Sequence, residues 1–168
     1  MPATGAEKPN RDFTAMNKFS TFFLLTLFLL SVSCKDEKRN NLCVPDVFVD
    51  AYINTTLPQY QQLTVIGGWT YFSGGNRGLF VYHNASDEIV AFDRNCSYRP
   101  LDSCSIVSLN NSEAYLQCGS YVGGQWKACC NTKFNLDGFP YEGFAQCALR
   151  KYYVSQNGSV IRVSSSPF

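Results

Sequence analysis

The chain has 168 residues, with 14 Lys and Arg against 13 Asp and Glu, a single His and 8 Cys. A formal net charge of +1 without a basic patch excludes the electrostatic footprint of a nucleic-acid binder. One His excludes any centre that needs two imidazoles.

In chain order, Phe19 to Val32 is a run of Phe, Leu and Val broken only by Ser and Thr, with Lys18 just ahead and no charge inside. A membrane-spanning helix needs about 20 apolar residues. This run is shorter and meets Lys35-Asp36-Glu37-Lys38 at once, so residues 1–33 read as a cleaved signal peptide. Met16-Asn17-Lys18 makes an ordinary charged start for it, and residues 1–15 are set aside from fold reasoning. Leu30-Ser31-Val32-Ser33-Cys34 resembles the lipobox of bacterial lipoproteins, with Ser31 in place of the usual Leu. That resemblance implies acylation of Cys34 and a membrane partner reached through the lipid. Two or more acyl chains hold a soluble domain at a bilayer where one is marginal. The other reading is an ordinary secretory signal, with Cys34 free to join a disulfide. Lys35-Asp36-Glu37 is similar to a short lipoprotein surface-export signal, which implies an outer-membrane or cell-surface location, with the periplasm as the alternative. Residues 34–44 form a polar, flexible linker on composition, and residues 45–168 form one domain of near-neutral charge, large enough for a core of its own.

Beyond the leader no helical periodicity emerges, and the expected fold is all-β. Val47, Val49, Ala51 and Ile53 alternate with Phe48, Asp50 and Tyr52. Leu79–Tyr82 and Ile89–Phe92 flank the turn-rich Asn84-Ala85-Ser86-Asp87-Glu88 as a hairpin would. Tyr115–Cys118 is a further short strand. Tyr152–Val154 and Val160–Val163 enclose Asn157-Gly158, a pair that accepts the positive φ of tight hairpins. Short strands with Gly-rich connections imply an antiparallel sandwich or barrel, and Gly67-Gly68, Gly74-Gly75 and Gly123-Gly124 mark loops.

Setting Cys34 aside leaves Cys43, Cys96, Cys104, Cys118, Cys129, Cys130 and Cys147. Outside the cytoplasm most should pair, and seven is odd, so at least one thiol is free or engaged elsewhere.

Asp93-Arg94-Asn95-Cys96-Ser97-Tyr98 and Cys129-Cys130-Asn131-Thr132-Lys133-Phe134-Asn135-Leu136-Asp137-Gly138 resemble the two boxes of the Rieske [2Fe-2S] domain family, C-x-H and C-x-C-H-G-S-x-F-D. The likeness runs on through Glu142-Gly143-Phe144-Ala145 and Leu149 to the closing hairpin, about the last half of the chain. It implies a Rieske-like antiparallel β domain and cluster-site positions at Cys96, Tyr98, Cys104, Cys118, Cys129 and Cys130. The ligand set departs from the family. Tyr98 stands where the first His belongs and Cys130 where the second does. Lys127 occupies the second-box Cys position, unless residues 119–128 are an inserted loop and Cys118 is the counterpart. A conventional Rieske cluster, with two imidazoles on one iron, is excluded by the single His. His83 lies outside both boxes and reads as a half-exposed sheet residue.

Three readings of the site stay open. The leading one has no cofactor. The emptied site has become a disulfide pin, the resemblance implying Cys104–Cys129, with Cys96 and Cys130 converging where the cluster was. The second keeps a metal centre on thiolates, either a ferredoxin-like [2Fe-2S] set of four among Cys96, Cys104, Cys118, Cys129 and Cys130 or another metal, with Cys96, Cys118 and Cys130 as candidate metal ligands. Adjacent Cys129 and Cys130 would point to opposite faces of a strand. The third is a redox-active thiol pair, for which no C-x-x-C speaks.

No catalytic residue is identified, because a lone His and no G-x-S-x-G support no nucleophile triad. Asp87, Glu88, Asp93, Asp102, Asp137 and Glu142 read as turn residues and solvated faces. Tyr121, Trp126, Phe139, Tyr141 and Phe144 crowd the second box, as a cap over the sheet end or as a surface for an unknown protein or small-molecule partner.

Overall fold

The structure is a computed structural model that describes residues 43–110 and 112–168. The leader, the lipobox with Cys34 and the linker through residue 42 lie outside the described residues. The expected all-β class is what the structure shows. Among the described residues there are ten strands: β1 Asp50–Asn54, β2 Trp69–Phe72, β3 Leu79–His83, β4 Ile89–Asp93, β5 Val107–Asn110, β6 Tyr115–Val122, β7 Gln125–Phe134, β8 Pro140–Glu142, β9 Lys151–Asn157 and β10 Val160–Ser164. They form two sheets, of order β1-β10-β9-β4-β3-β2 and β5-β6-β7-β8. All strand pairings are antiparallel.

Alternation along β3 and β4 explains how the sheets stack. Leu79, Val81 and Ala91 enter one core with Ile53, Ile161 and Val163 of β1 and β10, so the six-stranded sheet curls until its two halves face each other. Phe80, Val90 and Phe92, one residue out of step, enter a second core with Val107, Leu116 and Phe134 of the small sheet. The β3–β4 pair is therefore buried on both faces, which accounts for its unbroken apolar sequence. The two halves of the large sheet are stitched at β4 and β9 by only two residue pairs, Ala91 with Tyr152 and Phe92 with Lys151.

A 3-10 helix, Pro58–Thr64, joins β1 to β2. Pro58 suits its first turn because the missing N–H would have no partner there, and Leu63 is buried beneath it. His83, expected to be half-exposed, is instead buried. Its Nδ1 lies 3.0 Å from the Leu63 carbonyl oxygen and its Nε2 2.8 Å from Asp87 Oδ1, so it fastens the 3-10 helix to the β3–β4 hairpin.

Packing against the domain includes residues before 45. Val44 is buried, and Cys43 is bonded to Cys147, 104 residues away. Two residues that the sequence read as linker therefore pack with the domain.

Candidate thiol site

The site lies in the second core, where the loop between β4 and β5 meets β6 and β7. Asp93 sets the start of that loop. Its carboxylate is fully buried and accepts four hydrogen bonds: from the backbone N–H of Asn76 at 2.6 Å, Arg77 at 3.2 Å and Asn95 at 2.8 Å, and from the Tyr152 hydroxyl at 2.8 Å. Burying a carboxylate is costly unless it is well bonded, and four donors meet that requirement. The sequence reading of Asp93 as a solvated turn residue is thus corrected: it joins the β2–β3 turn, the site loop and β9.

Beyond Asp93 the loop closes on itself. Cys96 N–H bonds the Ser105 carbonyl at 3.2 Å, and the Ser105 hydroxyl lies 3.2 Å from the Cys96 carbonyl and 3.1 Å from that of Tyr98. Ser97 Oγ donates to the Cys147 carbonyl at 2.6 Å. The Cys96 side chain is thereby aimed into the core, where it is fully buried.

Cys118 reaches the same place because the β6–β7 pairing is irregular, with Cys129–Thr132 of β7 lying opposite Cys118 alone. The β6–β7 register shifts between Gln117 and Gly119, and Gly119 has φ +145°. A Cβ on Gly119 would stand 2.4 Å from the Lys127 carbonyl oxygen and 2.6 Å from the Trp126 ring, so only glycine fits this bulge. On β7, Cys129 and Cys130 take separate partners. Cys129 is bonded to Cys104 with a Cα–Cα separation of 5.3 Å, within the ordinary range for a disulfide. Cys130 instead turns towards Cys96.

The outcome is a group of three thiols, Cys96, Cys118 and Cys130, whose sulfurs all lie within 4.8 Å of one another. The Cys96 and Cys130 sulfurs are 3.9 Å apart and carry no bond, so of the two links expected in the disulfide reading the structure contains Cys104–Cys129 alone. Lys127 pairs with Ser120 on the β6–β7 hairpin, away from the group, and Cys118 takes part instead. Tyr98 also stays outside it; its ring packs at 5.5 Å on that of Phe144.

Hydrogen bonding from the Cys118 thiol is the main reason that the Cys96 pKa falls from 9.0 to about 7; burial opposes the shift, and the Tyr98 backbone and Cys130 assist it. Cys118 moves the other way, because it donates to Cys96 and is shut away from water. The group therefore carries its first negative charge on Cys96. Cys130 is only half-buried and lines a cavity of about 160 Å³ with Gln117, Trp126, Asn131, Thr132 and Lys133. Thr132, fully buried, accepts hydrogen bonds from Phe144 N–H at 3.2 Å and Ala145 N–H at 3.3 Å and so holds the 143–145 segment against β7. Sequence reasoning passed over Asp93, Gly119 and Thr132. Only the Gly carried a usable signal, as a glycine inside a strand run.

The aromatic residues divide. Tyr121, Phe139, Tyr141 and Phe144 are more than half exposed, so they form surface rather than a buried cap.

A [2Fe-2S] cluster does not fit this donor set. Its conventional form needs two imidazoles, and the one His is committed to Leu63 and Asp87. An all-thiolate form needs four cysteines, whereas Cys104 and Cys129 are joined to each other and, among the described residues, three remain free. Those three converge on one point, as for a single metal ion, not around two irons.

No family model matches the chain, and no curated protein does. Among solved structures it is similar to the plasma-membrane Rieske protein PetC3 of the cyanobacterium Synechocystis PCC 6803. The two are 21% identical over 57% of this chain and 85% of that one, with a TM-score of 0.45. No helix among the described residues is long and apolar enough to cross a membrane.

Proposed function

We propose that this chain is an exported lipoprotein, tethered through Cys34, whose Rieske-like domain has given up the conventional cluster and serves as a non-enzymatic binding module. The observation that carries the loss of the cluster is the donor set: three converging thiols, a disulfide where Cys104 and Cys129 meet, and the single His engaged elsewhere. The leader at residues 19–32, the lipobox-like residues ending in Cys34 and the following Lys-Asp-Glu support export and anchoring at the outer membrane, with the periplasmic face as the alternative. The exposed Phe139, Tyr141 and Phe144 support contact with a protein or small-molecule partner.

The runner-up is electron transfer by a centre held on cysteines, favoured by the same convergence of Cys96, Cys118 and Cys130. Iron and acid-labile sulfide analysis with EPR spectroscopy, on full chain purified anaerobically, separates the two. The binding-module reading predicts neither element in stoichiometric amount. A reduced sample with a [2Fe-2S] signal and two irons per chain would overturn it.

A further inference from the structure

We propose that Cys96, Cys118 and Cys130 form a binding site for one soft, thiophilic metal ion of low coordination number, with monovalent copper the class it fits best. The proposal names the ligand of the thiol group and rests on the reading above only in taking that group to hold no iron–sulfur cluster.

Geometry is the first support. Sulfurs about 2.3 Å from a shared metal stand about 4 Å from one another when three of them surround it in a plane. Cys96 and Cys130 are already at 3.9 Å, and the third sulfur lies within 4.8 Å of both. Closing the site needs side-chain adjustments of tenths of an ångström, not movement of strands.

Rigidity is the second. The three sulfurs come from three backbone segments, each fixed by something other than a metal. Cys96 is held by the Ser105 bonds and Cys118 by the Gly119 bulge, while Cys130 sits beside the Cys104–Cys129 disulfide. A site held open in this way loses little ordering entropy on binding.

Donor type is the third and selects the metal. Thiolates favour monovalent copper, zinc and iron–sulfur centres over harder ions. Structural zinc takes four protein ligands, and no fourth Cys, His, Asp or Glu joins the group among the described residues. Monovalent copper is satisfied by three sulfurs. Phe134, Leu116 and Val107 pack in the same core, which keeps water from the metal on one side. Cys130, half-buried beside the cavity, is the one of the three thiols that solvent reaches.

The test uses lipidated full chain extracted in detergent, reduced only enough to leave both disulfides intact. It is titrated anaerobically with monovalent copper against a chromophoric copper chelator. One equivalent should bind, and X-ray absorption should show three sulfurs at about 2.3 Å. Cys130→Ser should weaken binding at least about tenfold, since losing even an outer partner of a ligand costs that much. Cys118→Ser is the second variant. Because it alters a fully buried position it is paired with circular dichroism, while the half-exposed Cys130 keeps the test decisive if Cys118→Ser does not fold. Iron-free chain with three free thiols that takes up no copper, or a Cys130→Ser protein that binds as tightly as the parent, overturns the copper site and leaves the binding-module reading standing. Stoichiometric iron and sulfide instead overturns that reading itself.

Discussion

The Tyr152 hydroxyl donates a 2.8 Å hydrogen bond to the buried carboxylate of Asp93, and this contact reinforces the narrow seam between β4 and β9. Burial and the neighbouring carboxylate push the Tyr152 pKa well above the ordinary tyrosine range, so the phenol remains a donor throughout physiological pH. Tyr152→Phe should lower the unfolding free energy by about 1.5–3 kcal/mol, as expected for a hydrogen bond to a charged group. Asp93→Asn should cost more, about 3 kcal/mol or above, because an amide NH2 would face N–H donors now bonded to oxygen. Urea unfolding of the three proteins checks the ranking.

Gly119→Ala tests the bulge that delivers Cys118. The new methyl group meets the Lys127 carbonyl and the Trp126 ring at distances that no side chain tolerates, and the φ of +145° is itself unfavourable for alanine. The expected result is a loss of about 2–4 kcal/mol, with Cys118 becoming reactive to alkylating reagents in the folded protein. An unchanged melting temperature would show that the β6–β7 pairing carries no such bulge.

Much of the large sheet was legible from residues alone. Leu79–His83 and Ile89–Asp93 are dense in β-branched and aromatic residues around a polar turn, and Asn157-Gly158 marks its own hairpin. β7 was not legible, because Lys127-Ala128-Cys129-Cys130 shows no alternation and the strand is held by neighbours on both sides. The 3-10 helix escaped because its only buried residue is Leu63, too little to make a periodic stripe. In the site, the second-box spacing left Lys127 and Cys118 as rivals. A ten-residue hairpin extension past a bulge is a property of pairing, and linear spacing cannot register it.

The two disulfides should differ in what they contribute. Cys104–Cys129 closes a short stretch of chain and Cys43–Cys147 a long one. On the chain-entropy account a bond stabilises by about 2–4 kcal/mol, more for the longer loop. The double variant Cys104→Ala/Cys129→Ala should therefore lose less stability than Cys43→Ala/Cys147→Ala while disturbing Cys130 more, since Cys130 adjoins the shorter link. Thermal unfolding gives the first comparison and alkylation rates at Cys130 the second.

In the metal-free thiol group Cys96 should ionise near neutrality while Cys118 resists ionisation. The Cys96 pKa is lowered to about 7 in the folded chain from an ordinary value of 9.0, so its contribution to stability is present above the ordinary value and is lost as pH falls through about 7. Stability should rise between pH 7 and 9 on this account. Above pH 9 the slope reverses, because Cys118 resists ionisation in the fold and ionises freely when unfolded. Ultraviolet thiolate absorption should show a first midpoint near 7 that moves upward in Cys118→Ala, where the principal donor to Cys96 is gone. A midpoint unmoved by that substitution would assign the shift to another group.

Cys34 should carry the lipid. Intact mass of membrane-extracted protein is expected to show an acylated chain that begins at Cys34, and Cys34→Ala should yield no lipid-modified product. A lipid mass retained on Cys34→Ala would remove the anchor from the account.

Three thiols, and neither a cluster nor a third disulfide, are expected at the meeting point of the loop after β4 with β6 and β7. Peptide mapping of the full chain, alkylated under denaturing conditions without reductant after anaerobic purification, tests this most directly. Alkylated Cys96, Cys118 and Cys130 together with linked Cys43–Cys147 and Cys104–Cys129 peptides are the predicted result. A linked Cys96–Cys130 peptide, or an alkylated Cys104 with Cys129, would contradict it.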